Sequence, residues 1–177
     1  MSAFDSRALG RLSGSALDAV AYRNQSSGFD PRSGDGARRL GGRFNPPHSF
    51  PVLYLCMSRR CVVAELTRQA ERQSLSVEDL LPRELWEVAV GLRTVLDLSD
   101  ARTREALGLH SADLVRDDHS DTREIGEAAH EHGFQAVRAP SATGVDEILA
   151  IFPENLAGAV LRVELVREWR TIDDLTH

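Results

Sequence analysis

The chain has 177 residues, of which 42% are hydrophobic and 27% are charged, an ordinary composition for a soluble globular protein of one domain. No apolar run approaches the ~20 residues that a membrane-spanning helix needs, and the N-terminus lacks the apolar segment of a secretory signal. Two cysteines are too few for a disulfide framework. We therefore expect a cytoplasmic protein without membrane association.

The charge is distributed unevenly. Residues 1–60 carry nine arginines and four acids, whereas residues 61–177 carry twelve arginines and twenty-three acids, and the whole chain has a formal net charge of −6. Every basic residue among the 21 is arginine, which excludes Schiff-base chemistry and a P-loop lysine. The net negative charge argues against nucleic-acid binding. The basic first third fits a small ligand that carries phosphate.

The first half of the chain predicts two helices around a short strand. We predict a helix over residues 12–20, an extended segment at 21–23 and a long Gly/Ser/Asp/Arg-rich loop over 24–40. The apolar run 51–56 predicts a buried strand. Ser58 is a suitable N-cap for a helix that reaches about residue 73, with an apolar stripe at helical spacing.

The second half mixes helices and strands without a regular βαβ alternation. A helical turn is predicted at 76–82, one or two short helices at 103–116, and a clearer helix at 121–132 that ends at Gly133. The predicted strands are 85–92, 95–98, 134–138, 147–152 and 159–168. This order predicts the α+β class rather than a doubly wound parallel sheet.

Three polar residues stand out on consecutive elements, each eleven positions from the next. Arg43 follows two glycines, Tyr54 lies inside the apolar strand, and Glu65 flanks the apolar stripe of the following helix. Each has an ordinary alternative explanation, as a surface arginine, a core tyrosine and a solvated helix acid. Together, an arginine fork, a phenol and a carboxylate can bind an anionic ligand that has a cleavable bond.

The Gly-Gly-Arg-Phe-Asn run, the Leu-Tyr-Leu strand, the Ala-Glu-Leu helix and the Ala-Pro-Ser-Ala segment at 139–142 resemble the RES-domain toxins. That family is named for its arginine, glutamate and serine. The residues that match its motifs are Arg43, Tyr54, Glu65 and Ser141, and Arg23 resembles the arginine that opens the domain. The likeness covers about residues 21–168 and implies a single RES-type domain.

One element of the family pattern is not intact. RES proteins commonly have an asparagine followed by proline near the C-terminus, and here Asn155 has no proline after it. The resemblance still makes Asn155 a candidate for ligand binding. It implies the same role for Arg23, Arg43 and Tyr54, and a catalytic role for Arg43, Tyr54, Glu65 and Ser141.

The resemblance implies an ADP-ribosyltransferase-like mixed β-sheet core with surrounding helices, and NAD as substrate rather than as a retained cofactor. The glycine-rich opening loop is similar to the MbcT-like branch, which implies phosphorolysis of NAD to ADP-ribose-1″-phosphate and nicotinamide, with inorganic phosphate as co-substrate. Ser141 is then expected to hydrogen-bond the ligand, and Tyr54 to pack against the nicotinamide ring. The implied partner is a cognate antitoxin that covers the active site in a hetero-oligomer.

Several alternatives stay open at this point. Water can replace phosphate, giving an NAD glycohydrolase, or ADP-ribose can be transferred to a macromolecule. Transferases of the latter kind usually carry an acid or glutamine just before the catalytic glutamate, where this chain has Val63 and Ala64. A silent module that binds nucleotide or protein is the non-enzyme alternative. Cys56 and Cys61 lack a second ligand pair, so buried thiols are expected rather than a metal site.

Overall fold

The computed structural model describes residues 4–176 and has a mixed sheet of six strands with helices packed against it. The strands are β1 (Ser15–Gln25), β2 (Leu53–Cys56), β3 (Arg83–Asp97), β4 (Ala136–Pro140), β5 (Glu147–Ile151) and β6 (Arg162–Trp169). The helices are α1 (Ser6–Leu9), α2 (Asp35–Leu40), α3 (Arg59–Arg72), α4 (Val77–Leu80), α5 (Ala101–Ala106) and α6 (Ser120–Glu131), with 3₁₀ turns at Ser111–Val115, Pro153–Asn155 and Ile172–Thr176.

The sheet closes on itself through its longest strand. The strand order is β1-β2-β5-β4-β3-β6, and β1 also pairs with β3, so the first five strands form a ring. Along its other edge, β3 pairs antiparallel with β6 in its first half and parallel with β4 at its end. A strand of 15 residues is long enough to hold two partners on one edge, and this length makes the closure possible.

Alternating side chains of β2 and β5 belong to two different apolar clusters. Leu53 and Leu55 pack among residues of the strands, whereas Tyr54 and Cys56 point to the opposite face, where the helices cover the sheet. The period of two follows from the pleat of a strand. It directs Tyr54 towards α3 and α6, which carry the polar residues described below.

The predicted helix at 12–20 is wrong, because residues 15–20 form the first half of β1. Its burial alternates: Leu17 and Ala19 pack against the strand cluster, whereas Asp18 and Val20 are exposed. The Ala- and Leu-containing sequence has some helix propensity, but ten residue pairs with β3 outweigh that local preference. The predicted strands 85–92 and 95–98 are likewise one continuous strand, since Arg93 and Thr94 keep the extended conformation between them.

The other predicted elements are confirmed, with boundaries that shift by one to three residues. Ser58 caps α3, its hydroxyl accepting a hydrogen bond from the Cys61 amide at 3.2 Å. Gly133 ends α6 with φ of +81°. The loop predicted at 24–40 is shorter than expected, because β1 continues to Gln25 and α2 occupies its last six residues.

Helix α6 approaches the turn that carries Arg43 at a glycine. A Cβ added to Gly126 would collide with the carbonyl oxygen of Phe44 and would lie 2.8 Å from the Phe44 Cα. Both residues are buried, so neither backbone has free space into which to move. Gly126 therefore sets the distance between α6 and the Arg43–Phe44 turn.

We predict that Gly126→Ala destabilises the fold by about 1–3 kcal/mol, the usual range for overpacking a core. Gly36→Ala is the matched control, because the Cβ would meet nothing within 4 Å in α2. A glycine-to-alanine change in a helix favours folding by up to ~1 kcal/mol. Urea denaturation of both variants checks the prediction, and equal midpoints for Gly126→Ala and the parent would contradict it.

Candidate active site

A cavity of about 560 Å³ lies between strands β1 and β2 of the sheet and helices α3 and α6. Its volume falls within the range typical of ligand pockets, about 300–1,000 Å³. The polar residues that line it are Tyr22, Arg23, Asn24, Arg43, Tyr54, Glu65, Arg68, Gln69, Arg72, His119 and Arg123. Three of the sequence-predicted ligand residues, Arg23, Arg43 and Tyr54, and the predicted acid Glu65 are therefore brought together.

Arg43 is only 7% exposed, and a glycine turn positions it. Gly41 has φ of +75°, and a Cβ on Gly42 would lie 2.6 Å from the ring of Tyr54, so the turn has no room for side chains at these two positions. One guanidinium nitrogen, Nη1, donates a hydrogen bond to the carbonyl of Leu114 at 3.0 Å. Arg43 lines the cavity and its side chain makes no other hydrogen bond within residues 4–176, so its remaining donors can serve a ligand.

Tyr54 holds that turn through its hydroxyl group. The hydroxyl accepts a hydrogen bond from the Phe44 amide and donates one to Asn45 Oδ1, both at 2.8 Å. Asn45 is fully buried, and its amide nitrogen donates to the carbonyl of Ala37 at 2.8 Å. Burial raises the pKa of Tyr54, so the phenol stays neutral and keeps its donor role. Tyr54 is thus a brace for the Arg43 turn as well as part of the cavity wall.

The carboxylate of Glu65 is held by Ser141. The Ser141 hydroxyl donates to Glu65 Oε1 at 2.7 Å, and Ser141 itself is 2% exposed and does not line the cavity among the described residues. The Thr143 amide donates to the Ser141 hydroxyl oxygen at 3.2 Å. Ser141 therefore orients the acid rather than facing the ligand space, which differs from the expectation that it contacts ligand directly.

Glu65 and Arg43 influence each other electrostatically. Burial lowers the pKa of Arg43, the negative charge of Glu65 opposes this effect, and Arg68 and Arg72 add to it. A buried cation is tolerated only where a nearby anion compensates it. The glutamate and the arginine are therefore complementary parts of one site.

The sequence interpretation missed two sets of cavity residues. Arg68, Gln69 and Arg72 follow Glu65 at i+3, i+4 and i+7, and thus extend one polar face of α3 along the cavity. From the other side come His119, at the N-cap of α6, and Arg123, one turn later. The helical spacing of the α3 residues can be predicted from the sequence. No local sequence pattern predicts that His119 and Arg123 lie across the cavity from α3.

Hydrogen bonds between residues far apart in the sequence join these parts of the cavity wall. Arg68 donates to the carbonyl of Ala142, beside Ser141, at 3.2 Å, and to the Asp117 carboxylate at 2.6 Å. Arg123 donates through Nε to the carbonyl of Gly42 at 3.0 Å. The loop after β4, the loop before α6 and the glycine turn are therefore each joined to a helix that lines the cavity.

Arg23 lies on β1 and is fixed by the following loop. Its Nη1 donates to the carbonyls of Pro31 and Ser33 at 3.0 and 3.2 Å. Burial, reinforced by the nearby Arg83, lowers the pKa of Arg23 to about 10, so the side chain remains cationic at neutral pH. This position suits the binding of an anionic group.

The cavity contains buried polar atoms that lack hydrogen-bond partners. Within residues 4–176, five buried side-chain nitrogen or oxygen atoms have no partner, and three of them belong to cavity residues: Arg23 Nε, Arg68 Nε and His119 Nε2. Buried polar groups in native proteins are nearly always paired. Their concentration here indicates that a polar ligand completes these bonds.

The structure does not bring Asn155 to this site. Ile148, near the start of β5, lines the cavity, whereas Asn155 lies in the 3₁₀ turn that follows the other end of this strand. Asn155 is not a lining residue in the described chain. Its amide donates to the carbonyls of His130 and Phe134 at 2.9 and 2.8 Å. These bonds satisfy one carbonyl in the last turn of α6 and one in the segment that follows it. The geometry thus gives Asn155 a structural role instead of the ligand-binding role expected from the sequence.

Cys56 and Cys61 are free, buried thiols, as the sequence predicts. The neighbouring Cys61 and burial raise the pKa of Cys56, which lines the cavity, so the thiol stays protonated. In the described part of the chain, no three His, Cys, Asp or Glu residues are arranged to hold a metal ion.

Taken together, the cavity presents several arginines and one carboxylate. The arginines can bind phosphate groups, and the carboxylate can stabilise a positive charge that develops on a reacting carbon.

A family model described as the RES domain matches residues 18–174. The NAD(+) phosphorylase MbcT of Mycobacterium tuberculosis strain H37Rv is 37% identical over 138 residues, which are 77% of this chain and 74% of that protein. The probable NAD(+) phosphorylase Rv3189 of the same strain is 48% identical over 101 residues, 57% of this chain and 48% of that protein.

Among solved structures, the crystal structure of the M. tuberculosis MbcT–MbcA toxin–antitoxin complex is similar, with a TM-score of 0.84 and 29% sequence identity. The match covers 96% of this chain and 93% of that chain. The mixed α/β fold with its ring of strands is therefore shared with that protein. Over residues 4–176, no helix has the length and apolarity needed to cross a membrane.

We predict that Tyr54→Phe destabilises the protein by roughly 1–3 kcal/mol, because the Phe44 amide and Asn45 Oδ1 would both lose a buried partner. Tyr22→Phe is the control, since Tyr22 also lines the cavity but its hydroxyl makes no hydrogen bond within residues 4–176. Thermal unfolding distinguishes the two, and equal melting temperatures for the variants would refute the bracing role.

Proposed function

The chain belongs to the RES-domain family, and we propose that it is the toxin of a toxin–antitoxin pair that cleaves the nicotinamide–ribose bond of NAD. The reaction is phosphorolysis, which yields ADP-ribose-1″-phosphate and nicotinamide. The observation that carries the proposal is the oriented carboxylate of Glu65, held by Ser141 at 2.7 Å and set among the arginines of the cavity. The names of the similar M. tuberculosis proteins, NAD(+) phosphorylases, support the substrate and the acceptor.

The chemistry follows from the charges. The bond between the ribose C1″ and the nicotinamide nitrogen breaks, and its electron pair leaves with neutral nicotinamide. The ribose then has oxocarbenium character, as in glycoside cleavage. Glu65 stabilises that positive charge and accepts a hydrogen bond from a ribose hydroxyl. An oxygen of inorganic phosphate forms the new bond to C1″.

The remaining cavity residues hold the substrate. Arg23 and Arg43 bind the pyrophosphate of NAD, and the face of the Tyr54 ring packs against nicotinamide while its hydroxyl stays bonded to the Arg43 turn. NAD is consumed as substrate, and the residues in the cavity supply the chemistry without a further cofactor. We also propose that the ring of strands is related to the ADP-ribosyltransferase fold.

The proposed partner is a cognate antitoxin that covers the cavity in the cytoplasm. The similarity to the MbcT–MbcA complex supports a hetero-oligomer of this kind. Two large apolar side chains are exposed in the segment between β1 and β2: Phe29 at 65% and Leu40 at 78%. Leu40 directly precedes the cavity-lining Gly41. Apolar side chains at such a position fit burial under a bound protein.

Two observations favour phosphorolysis over the other reactions. The cavity has arginines in excess of acids, which suits a second anion beside the pyrophosphate, whereas a water nucleophile needs no such charge. Val63 and Ala64, which precede Glu65, are not cavity residues in the described chain and offer no group to activate a macromolecular acceptor. Hydrolysis is the second candidate reaction, and the product analysis below distinguishes it.

We predict that Glu65→Gln lowers the rate of NAD cleavage about 10²–10³-fold, the usual effect of removing one charge-stabilising group. Glu71→Gln, on the exposed side of the same helix, is the control and should keep the parent rate. The measurement follows nicotinamide release by mass spectrometry from purified, antitoxin-free protein with NAD, in buffers with and without phosphate. Melting curves verify that both variants are folded.

The products identify the acceptor. ADP-ribose-1″-phosphate, formed only when phosphate is present, establishes phosphorolysis. Free ADP-ribose at equal rates in both buffers establishes hydrolysis instead. Intact NAD in every sample of folded parent protein would refute the enzymatic proposal and leave a binding module.

Expression in bacteria tests the toxin role separately. We predict that induction of the parent chain without antitoxin depletes cellular NAD and stops growth, whereas Glu65→Gln at the same protein level permits growth because the NAD pool survives. The measurement pairs colony counts with NAD extraction. Normal growth of cells that contain active parent enzyme would contradict the toxin role.

A further inference from the structure

His119 lines the cavity, and the packing of the described residues gives no partner to its buried ring nitrogen. It precedes α6 as its N-cap, yet its side chain makes no capping hydrogen bond. Its Nε2 is buried and has no hydrogen-bond partner within residues 4–176. An unpaired buried ring nitrogen destabilises the free protein, and a ligand that bonds to it would remove that cost.

Positive side chains surround this imidazole. Burial lowers the pKa of His119, and the charges of Arg43, Arg123 and Arg72 lower it further, while Asp117 opposes them. Asp117 is already bonded to Arg68 at 2.6 Å. Arg72 and Arg123 form no ion pair with any described residue. The imidazole thus adds a ring nitrogen without a hydrogen-bond partner to a cavity wall where Arg72 and Arg123 also lack an ion-pair partner among the described residues.

Arg23 offers a second position for an anion, on a different element of the cavity wall. The charges that act on Arg23, on β1, are those of Arg83 and Asp30, whereas the charges that act on His119 lie on α3, α6, the Arg43 turn and the loop before α6. Each place has its own unpaired buried donor, Arg23 Nε in one and His119 Nε2 in the other. A reaction with two anionic reactants, a dinucleotide and an acceptor anion, needs two such places.

We propose that His119, together with Arg72 and Arg123, binds the inorganic phosphate that accepts the ADP-ribosyl group and thereby selects phosphorolysis over hydrolysis. The inference rests on the proposed function and adds to it the residues that bind the acceptor. The imidazole donates to a phosphate oxygen, and the two guanidinium groups neutralise the dianion. Another phosphate oxygen attacks C1″ as nicotinamide leaves with the C–N electron pair, and the phosphate proton of the product is released to solvent.

The test compares two substitutions with a control. His119→Ala removes the donor, whereas His119→Gln keeps an N–H donor near the position of Nε2. His132→Ala, at the opposite end of α6 and exposed, is the matched control. Steady-state kinetics would give the KM for phosphate, the KM for NAD and the ratio of ADP-ribose-1″-phosphate to ADP-ribose.

We expect His119→Ala to raise the KM for phosphate at least tenfold and to shift the products towards ADP-ribose, with the KM for NAD within twofold of the parent value. His119→Gln should restore part of the phosphate affinity, and His132→Ala should match the parent. A rise in the KM for NAD with the phosphate KM unchanged would overturn the inference, because the cluster would then bind the pyrophosphate. Unchanged values for both substrates would overturn it as well.

Phosphate binding can also be measured without NAD. Inorganic phosphate should raise the melting temperature of the parent and of His132→Ala, and this shift should be lost in His119→Ala. A parent that binds phosphate but leaves NAD intact would refute the proposed function alone. A parent that phosphorolyses NAD while His119→Ala keeps the full phosphate-dependent shift would refute the inference alone.

Discussion

The hydrogen bond between Ser141 and Glu65 is the interaction on which the site depends. It joins residues 76 positions apart at 2.7 Å and fixes the one acid that lines the cavity within the described chain. Without an oriented carboxylate, Arg43 would be a buried cation with two further arginines as its charged neighbours. Such a charge is tolerated only when an anion compensates it. The acid therefore contributes to the stability of the site as well as to its chemistry.

The glycine turn shows how the fold holds Arg43 in place without a salt bridge to any residue within 4–176. Gly42 lies against the Tyr54 ring, and Gly126 lies against Phe44. Side chains at either position would push the turn away from β2 or from α6. The Tyr54 hydroxyl forms hydrogen bonds with Phe44 and Asn45 of the turn. The arginine is thus positioned by close backbone packing on two sides, which leaves most of its donors for a ligand.

Elements determined by neighbouring residues could be predicted from the sequence, whereas those that depend on contacts with distant residues could not. The α3 helix followed from its Ser58 cap and apolar stripe, which act within a few residues. The first strand was predicted as a helix because its pairing with β3, some seventy residues later, leaves no local mark. The same limit applies to the site: family motifs identified Glu65 and Ser141, but nothing placed His119 beside α3.

The unpaired donors of the cavity have a consequence for stability. Arg23 Nε, Arg68 Nε and His119 Nε2 are buried atoms of residues that line the cavity, and each unmet hydrogen bond destabilises the free protein. A structure selected for stability alone would replace such groups with apolar side chains of similar size. Anions that bind these donors stabilise the folded state by mass action. The cavity residues therefore gain their full hydrogen bonding only with anions bound, and this dependence ties the stability of the fold to its substrates.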